Sequence, residues 1–210
     1  VPRDLGVTSA RYLNGRTVCL HANTTSEVNV EDFFIQNDMN FDAVPADTPD
    51  EAREQYLAGA CDVYTADASA LAAARAALPD GSEHVLLPEI VSKEPLSPVV
   101  LQGDPQWTDV VRWTLNALIA AEELGGTSAN VGEIAESSED SEVRRLLGSE
   151  GGFGEMLGLQ NDWAKSAISA VGNYGEIFER NIGENTPIGI ARGLNAQWSN
   201  GGLLYALPFR

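Results

Sequence analysis

The chain has 210 residues, of which 43% are hydrophobic, enough for a folded core and too many for a disordered chain. Its formal net charge is -18, from 31 acidic and 13 basic residues. This charge repels phosphate backbones and anionic lipids, so nucleic acid is not an expected partner. No run approaches the roughly 20 consecutive apolar residues of a membrane-spanning helix, so no membrane insertion is expected.

The first 97 residues are predicted to alternate strands with helices. The predicted strands are 17–21, 41–44, 61–65 and 84–91, and the predicted helices begin near residues 24, 49 and 68. Thr24 and Thr48 stand at expected helix N-caps, and each is followed three residues later by a glutamate, the spacing of a capping box. This alternation predicts a parallel sheet covered by helices.

Residues 98–210 have a different pattern. After an extended run at 98–101, Asp104 and Pro105 predict the start of a long helix that ends at Gly125. Its apolar face consists of Trp107, Val110, Val111, Leu115, Leu118 and Ile119. Further helices are predicted at 141–147, 162–171, 174–181 and 188–197, while the tail at 202–207 is either a strand or an irregular segment. The sequence thus predicts an α/β unit, 1–97, and a mostly helical unit, 98–210.

The two cysteines, Cys19 and Cys61, each lie in a predicted strand. If these strands are neighbours in the sheet, the side chains fall within reach of a disulfide, which would indicate an oxidising compartment. Two buried free thiols are the alternative. The residues alone leave this choice open.

Two polar features follow predicted strands. Thr24, Thr25 and Ser26 begin a helix, where free backbone N–H groups and the helix dipole favour a carboxylate or phosphate. Asp67 directly follows the strand at 61–65, at the edge where open α/β sheets form ligand crevices. For each feature the simpler alternative is an ordinary helix cap. Together, an acidic side chain for an ammonium group and N–H groups for a carboxylate suit an α-amino acid zwitterion.

No catalytic or metal-binding set of residues is expected. A hydrolase or lyase needs a nucleophile and a base, or an acid and a base, within reach of each other. Neither His21 nor His84 lies in such a motif, and neither completes a metal-ligand spacing. The chain is therefore expected to be a ligand carrier without a cofactor, and not an enzyme.

Six runs along the chain carry a family resemblance. They are TVCLHANTTSE at 17–27, GACDVYTAD at 59–67, and the runs 87–98, 106–115, 172–180 and 191–198. In this order they resemble the polar amino-acid-binding proteins of ABC importers, in particular the general L-amino-acid-binding subgroup. The resemblance implies a type II periplasmic binding protein fold. Residues 1–97 would be its second lobe, and 98–210 the returning hinge strand and the helical remainder of the first lobe.

The resemblance also implies individual roles. Asp67 would receive the α-amino group of the ligand, Thr25 with Thr24 and Ser26 would hold the α-carboxylate, and His21 would line the pocket. Cys19 and Cys61 match cysteines that the subgroup pairs in a disulfide. The implied partners are an L-amino acid, with broad specificity, and the permease subunits of an ABC transporter. The implied location is the periplasm, reached through a signal peptide that is not in this chain.

One part of the family pattern is not found in the chain. Family members carry most of the first lobe ahead of the matching region, and that segment supplies an arginine for the ligand carboxylate. Losing one partner of such a contact costs about 2–5 kcal/mol. We therefore expect the 210-residue chain to bind amino acids weakly unless another chain supplies the contact. The alternative is a shortened form that acts as an assembly module and self-associates through the face around Trp107, Val111, Leu115 and Leu118.

Overall fold

A computed structural model describes all 210 residues, and they divide into two compact units, Val1–Leu96 and Ser97–Arg210. None of the helices combines the length and the apolar character that a membrane crossing requires. The first unit holds the whole sheet, and the second is built from helices and irregular segments. The α/β fold class predicted from the sequence is confirmed.

The sheet of the first unit has three parallel strands, β1 (Arg16–His21), β2 (Phe41–Ala46) and β3 (Val63–Tyr64), in the order β2-β1-β3. The central strand β1 pairs with both neighbours, so that Cys19 lies opposite Val44 on one side and Tyr64 on the other. Parallel strands are expected when each connection contains a helix. The predicted parallel sheet is therefore confirmed, although β3 is shorter than the run 61–65.

Three helices surround this sheet: α1 (Thr25–Gln36) joins β1 to β2, α2 (Pro49–Leu57) joins β2 to β3, and α3 (Ala68–Ala77) follows β3. Successive side chains of a strand point to opposite faces of its sheet. Val18 and Leu20 of β1 pack with Phe34 of α1, whereas Cys19 packs with Tyr56 of α2. The helices α1 and α2 therefore cover opposite faces, and β1 is buried between them.

A disulfide joins β1 to the residues just ahead of β3. It links Cys19 to Cys61, whose Cα atoms are 5.8 Å apart. Both cysteines are buried, and they pack against Tyr56. The pairing implied by the family resemblance is confirmed, and no free thiol remains.

The second unit contains six helices: α4 (Pro105–Glu123), α5 (Val131–Ser137), α6 (Ser141–Leu146), α7 (Phe153–Met156), α8 (Trp163–Val171) and α9 (Tyr174–Asn181). The carboxylate of Asp104 caps α4 by accepting from the backbone N–H of Trp107 at 2.9 Å, and Gly125 ends this helix in the left-handed region at φ 75°. Their core is lined by small and aliphatic side chains around Ile168, together with Phe209 of the tail.

Two predicted elements are not found in the structure. Residues 84–91 form no strand; an isolated bridge from Pro2 to His84 and two hydrogen bonds between the main-chain groups of Val1 and Val85 hold the run to the N-terminal segment. The predicted helix at 188–197 is reduced to one short 3-10 turn, Gly193–Asn195.

These errors have local physical causes. Pro88 has no backbone N–H for a strand ladder, and Glu89 instead holds the run through its carboxylate, which accepts from the Ser9 hydroxyl and the Ala10 N–H. In the run 188–197, Gly189 and Gly193 adopt φ values of 66° and 49°, which interrupt a right-handed helix.

Candidate functional site

The carboxyl edge of the sheet is where three helices begin. All three strands are parallel, so the chain leaves each of them at the same edge and enters α1, α2 or α3 there. Neighbouring strands lie about 4.8 Å apart, and β1 is hydrogen-bonded directly to β3. The backbone N–H of Thr65 extends this pairing toward the edge by donating to the Cys19 carbonyl at 3.2 Å. The turns that follow β1 and β3 are therefore adjacent in the fold.

The turn after β1 leaves the start of α1 without a side-chain cap. The Thr24 hydroxyl donates to the His21 carbonyl at 2.6 Å and makes no hydrogen bond to its own helix. Glu27 accepts from the N–H of Asn23 at 2.7 Å, one residue ahead of the N-cap. The capping box predicted for Thr24 and Glu27 is therefore wrong, and the hydroxyl of the N-cap does not occupy the N–H groups of the first turn of α1.

The turn after β3 ends at Asp67, which is the N-cap residue of α3. Its side chain is exposed and makes no cap hydrogen bond. No ion pair or other hydrogen bond holds the carboxylate. An acidic N-cap usually accepts from the second or third amide of its helix. Here the carboxylate is free to bind another group.

By contrast, the start of α2, which follows β2, is capped by a side chain of its own turn. The Thr48 hydroxyl accepts from the N–H of Glu51 at 3.2 Å, and the Glu51 carboxylate accepts from the N–H of Asp47 at 3.0 Å. The Thr48 bond is that of an ordinary N-cap, whereas Glu51, like Glu27, accepts from the residue ahead of the N-cap, so the second bond of the predicted capping box is not formed. Of the three helix starts at this edge, the two that follow β1 and β3 have N-cap side chains that make no hydrogen bond to their own helix.

An open depression of about 620 Å³ lies at the start of α1. It is lined by Asn23, Thr24, Thr25, Glu27, Val28 and Asn29. Of the predicted ligand-binding residues, only Thr24 and Thr25 line this depression. Ser26, Asp67 and His21 lie outside its lining. The sequence interpretation missed Asn23, Glu27 and Asn29. The available signal was an asparagine between a strand and a helix, since asparagine tolerates the left-handed region that Asn23 adopts at φ 59°.

His21 occupies the last position of β1 and is half-buried. Its Nε2 lies 3.0 Å from the carbonyl oxygen of Asp47, in the turn ahead of α2. Beside it, the N–H of Ala22 donates to the carbonyl of Ala46 at 3.0 Å. These contacts fasten the end of β1, and with it the Thr24 turn, to the end of β2.

This edge offers complementary groups to a small ion with two opposite charges. The unused N–H groups at the start of α1 and its positive dipole end suit an anionic oxygen. The free carboxylate of Asp67 suits an ammonium group. No group of three or more His, Cys, Asp or Glu side chains is placed to hold a metal ion.

Fold and edge together define an α/β domain with polar groups at the carboxyl ends of parallel strands, the position at which open α/β sheets form ligand crevices. No protein-family profile matches the chain. The chain is 56% identical over 210 residues to the glutamate/glutamine/aspartate/asparagine-binding protein BztA of Rhodobacter capsulatus, covering 100% of the chain and 62% of that relative. It is 50% identical to the general L-amino acid-binding periplasmic protein AapJ of Rhizobium johnstonii, again over 100% of the chain and 62% of the relative.

A solved structure gives the same result. An ABC transporter periplasmic binding protein from Brucella ovis, with glutathione bound, is 51% identical and superposes with a TM-score of 0.90. The match covers 98% of this chain and 64% of the Brucella chain. The chain thus spans somewhat less than two thirds of the length of these relatives. The chain is thus similar over its whole length to periplasmic amino-acid-binding proteins of ABC transporters.

Proposed function

We propose that this chain is the ligand-binding part of a periplasmic receptor that delivers L-amino acids to the permease subunits of an ABC transporter. One observation carries the proposal: the N-cap side chains of the helices that follow β1 and β3 make no hydrogen bond to their own helix, while the start of α2 is capped by Thr48. The named functions of the relatives support the same class of ligand.

In this proposal the zwitterionic head of the amino acid lies across the two turns. The start of α1, with Thr24, Thr25 and Ser26, holds the α-carboxylate, and Asp67 holds the α-ammonium group. The positive end of a helix stabilises a bound anion by about 0.3–1 kcal/mol, and by up to ~2 kcal/mol when the anion is partly buried. His21 borders the site from the end of β1 and keeps the Thr24 turn in position through its contact with Asp47.

The ligands of the relatives share one chemical group. Glutamate, glutamine, aspartate and asparagine all carry a free α-ammonium and α-carboxylate, and so does the γ-glutamyl residue of glutathione. Residues that bind only this head place no restriction on the side chain beyond it. Broad specificity is therefore the expected property of the Thr24–Ser26 and Asp67 contacts.

We propose further that the 210-residue chain alone binds weakly. Its own groups include one free carboxylate and one helix start, and the family's arginine for the ligand carboxylate has no match in its sequence. The loss of one charged contact corresponds to roughly 30-fold or more in affinity. We therefore expect dissociation constants in the millimolar range for this chain, and much tighter binding by the longer relatives.

Backbone amide chemical shifts measured during titration with L-glutamine test the proposal. We expect saturable shifts at Thr25, Ser26 and the residues around Asp67, and their loss in the Asp67→Asn variant. The matched control is Asp42→Asn, which removes an exposed carboxylate from β2 in the same unit. If the chain shows no shifts at these turns while BztA binds glutamine in the same buffer, the proposal fails.

A second candidate function is that of an assembly module. It is favoured by the exposure of apolar side chains in the second unit, where Val99 is 95%, Leu101 88% and Trp107 54% exposed. Large exposed apolar groups mark association surfaces when they are contiguous. Under this alternative the chain dimerises at micromolar concentration, and a Trp107→Ser variant dimerises less. Light scattering that gives a monomer mass across this range would exclude it.

A further inference from the structure

The chain contains two asparagines that are each followed by glycine, and both pairs lie in exposed turns. In Asn14–Gly15 the glycine has φ 72°, and in Asn200–Gly201 it has φ 83°. A Cβ built at either glycine would meet no atom within 4 Å. A glycine without a Cβ lets its backbone nitrogen approach the side-chain carbonyl carbon of the preceding asparagine. Sequence and exposure therefore make the two pairs chemically equivalent.

The surrounding hydrogen bonds make the pairs different. The Asn14 Oδ1 accepts from the backbone N–H of Asn40 at 2.8 Å, and the N–H of Gly15 donates to the Asn40 carbonyl at 2.6 Å. Both reacting groups of the first pair are thus held by one residue of another segment. For attack to occur, these two bonds must open together, which reduces the reactive population.

The second pair has no such restraint. No hydrogen bond holds the side chain of Asn200, which ends the short 3-10 turn Trp198–Asn200. The N–H of Gly201 donates to the Trp198 carbonyl at 3.2 Å, within the same turn. The Asn200 side chain rotates freely in solvent and meets its neighbouring nitrogen without breaking a contact to another element.

We propose that Asn200 is a site of spontaneous deamidation and that Asn14 is protected from it. The Gly201 nitrogen attacks Cγ of Asn200, a new N–C bond forms, and the bond from Cγ to the amide nitrogen breaks. Ammonia leaves with the proton lost from the Gly201 nitrogen, and a succinimide ring remains. Solvent water then adds to either ring carbonyl and opens the ring to aspartate or isoaspartate. No oxidation or reduction takes place.

The modified residue would lie in a turn that attaches the C-terminal segment to α4. Around this turn the N–H of Trp198 donates to the Leu204 carbonyl at 2.9 Å. The buried Gln197 donates through Nε2 to the Ile119 carbonyl at 2.9 Å, and the Trp198 indole N–H donates to the carboxylate of Glu123 at 2.8 Å. Isoaspartate lengthens the main chain of the turn by one carbon, and either product adds a negative charge to the turn that holds Trp198. Deamidation therefore loosens the attachment.

Peptide mapping by mass spectrometry tests the proposal. The folded chain is incubated at mildly alkaline pH and physiological temperature, and a parallel sample is incubated unfolded in urea. We expect Asn200 to deamidate at least about tenfold faster than Asn14 in the folded chain, because the Asn14 site needs local opening. In urea the two sites should react at similar rates. A folded-state ratio no larger than the ratio in urea overturns the proposal.

The consequence is tested on the separated product. Ion exchange isolates the deamidated chain by its added charge, and its thermal transition is compared with that of fresh chain and of the Asn200→Asp variant. We expect the isoaspartate form to melt at the lowest temperature, and an Asn200→Ser chain to show no change on ageing. Equal transitions for fresh and deamidated chain would contradict the loosening of the turn.

Discussion

At the scale of single residues, Thr24, Thr48 and Asp67 occupy the same kind of position and do different things. Each is the N-cap of a helix at one edge of the sheet, but only Thr48 hydrogen-bonds its own helix. A side chain that caps contributes to stability, and one that does not is available for another role. The capped position is therefore expected to matter for folding, and the Asp67 position for binding.

Alanine substitutions separate these roles. Thr48→Ala should lower the free energy of unfolding by about 1 kcal/mol, because it removes a hydrogen-bonded cap. Asp67→Ala should change it by no more than about 0.5 kcal/mol, the usual range for an exposed substitution without such a contact. Urea denaturation measures both. A loss at Asp67 as large as the loss at Thr48 would show that Asp67 is an ordinary cap.

A second residue-scale prediction concerns the carboxylate of Glu176. Burial raises the pKa of this group, but hydrogen bonds from the Ser128 hydroxyl and from the backbone N–H groups of Asn173 and Ser128 outweigh burial, so the pKa lies below its ordinary value of 4.5. A depressed folded-state pKa gives stability that is present above the unfolded pKa and is lost as the pH falls through the folded pKa.

The Glu176→Gln variant should therefore be less stable than the native chain at neutral pH and should lose less stability on acidification below pH 4.5. Denaturation curves collected across the acidic range measure this difference. Glu179→Gln is the matched control, since Glu179 is an exposed residue of the same helix, α9. Parallel acid profiles for the native chain and Glu176→Gln would contradict the assignment.

At the scale of elements, the sequence predicts well those segments whose signals are local. The predicted helix caps are at the expected positions: Asp104 and Thr48, each followed by a proline, begin α4 and α2, and Gly125 follows the end of α4. The helices α4 and α9 match their predicted ranges closely. The run 84–91 has the composition of a strand but no strand to pair with, and pairing depends on residues distant in sequence. The same limit applies to Thr24, whose hydroxyl turns to the His21 carbonyl of the preceding strand instead of to its helix.

The candidate site was predictable in its positions and not in its contacts. That polar residues follow β1 and β3 can be inferred from sequence, because parallel strands share one carboxyl edge. The contact of Glu27 with Asn23, and that of His21 with Asp47, depend on the left-handed conformation of Asn23 and on the register of β1 with β2. Neither property has a sequence signal strong enough to fix it in advance.

The disulfide is the strongest single link between the elements of the first unit. It closes a loop of 42 residues between β1 and the start of β3. In the chain-entropy account, a loop of this length corresponds to about 4 kcal/mol of stability. A Cys19→Ala, Cys61→Ala double variant should lose roughly 2–5 kcal/mol in urea denaturation.

Reduction of the native chain under denaturing conditions supplies the control. It opens the same loop and changes the side chains only by adding one hydrogen to each sulfur. The reduced chain should unfold at a denaturant concentration close to that of the double variant. A loss below about 1 kcal/mol in both would mean that packing of β1 alone sets the stability of the sheet.

At the scale of the whole molecule, net charge and chain length bear on what the chain can bind. The net charge of -18 opposes close approach of two copies at low salt and disfavours additional negative charge on a ligand. The relatives that the chain matches are longer, and the chain covers 62% of BztA. Binding affinity should therefore be compared between this chain and such relatives, and we propose that the turns after β1 and β3 recognise the zwitterion.

The most direct measurement is a thermodynamic cycle that combines Asp67→Asn with a ligand lacking the α-ammonium group. Binding of L-glutamine and of its deaminated analogue is measured by amide shifts in the native chain and in the variant. If Asp67 faces the ammonium group, the two changes are coupled, and removing both costs less than the sum of the single losses by at least about 0.5 kcal/mol. Strictly additive losses would place the ammonium group elsewhere and contradict the proposed binding of the zwitterion at this edge.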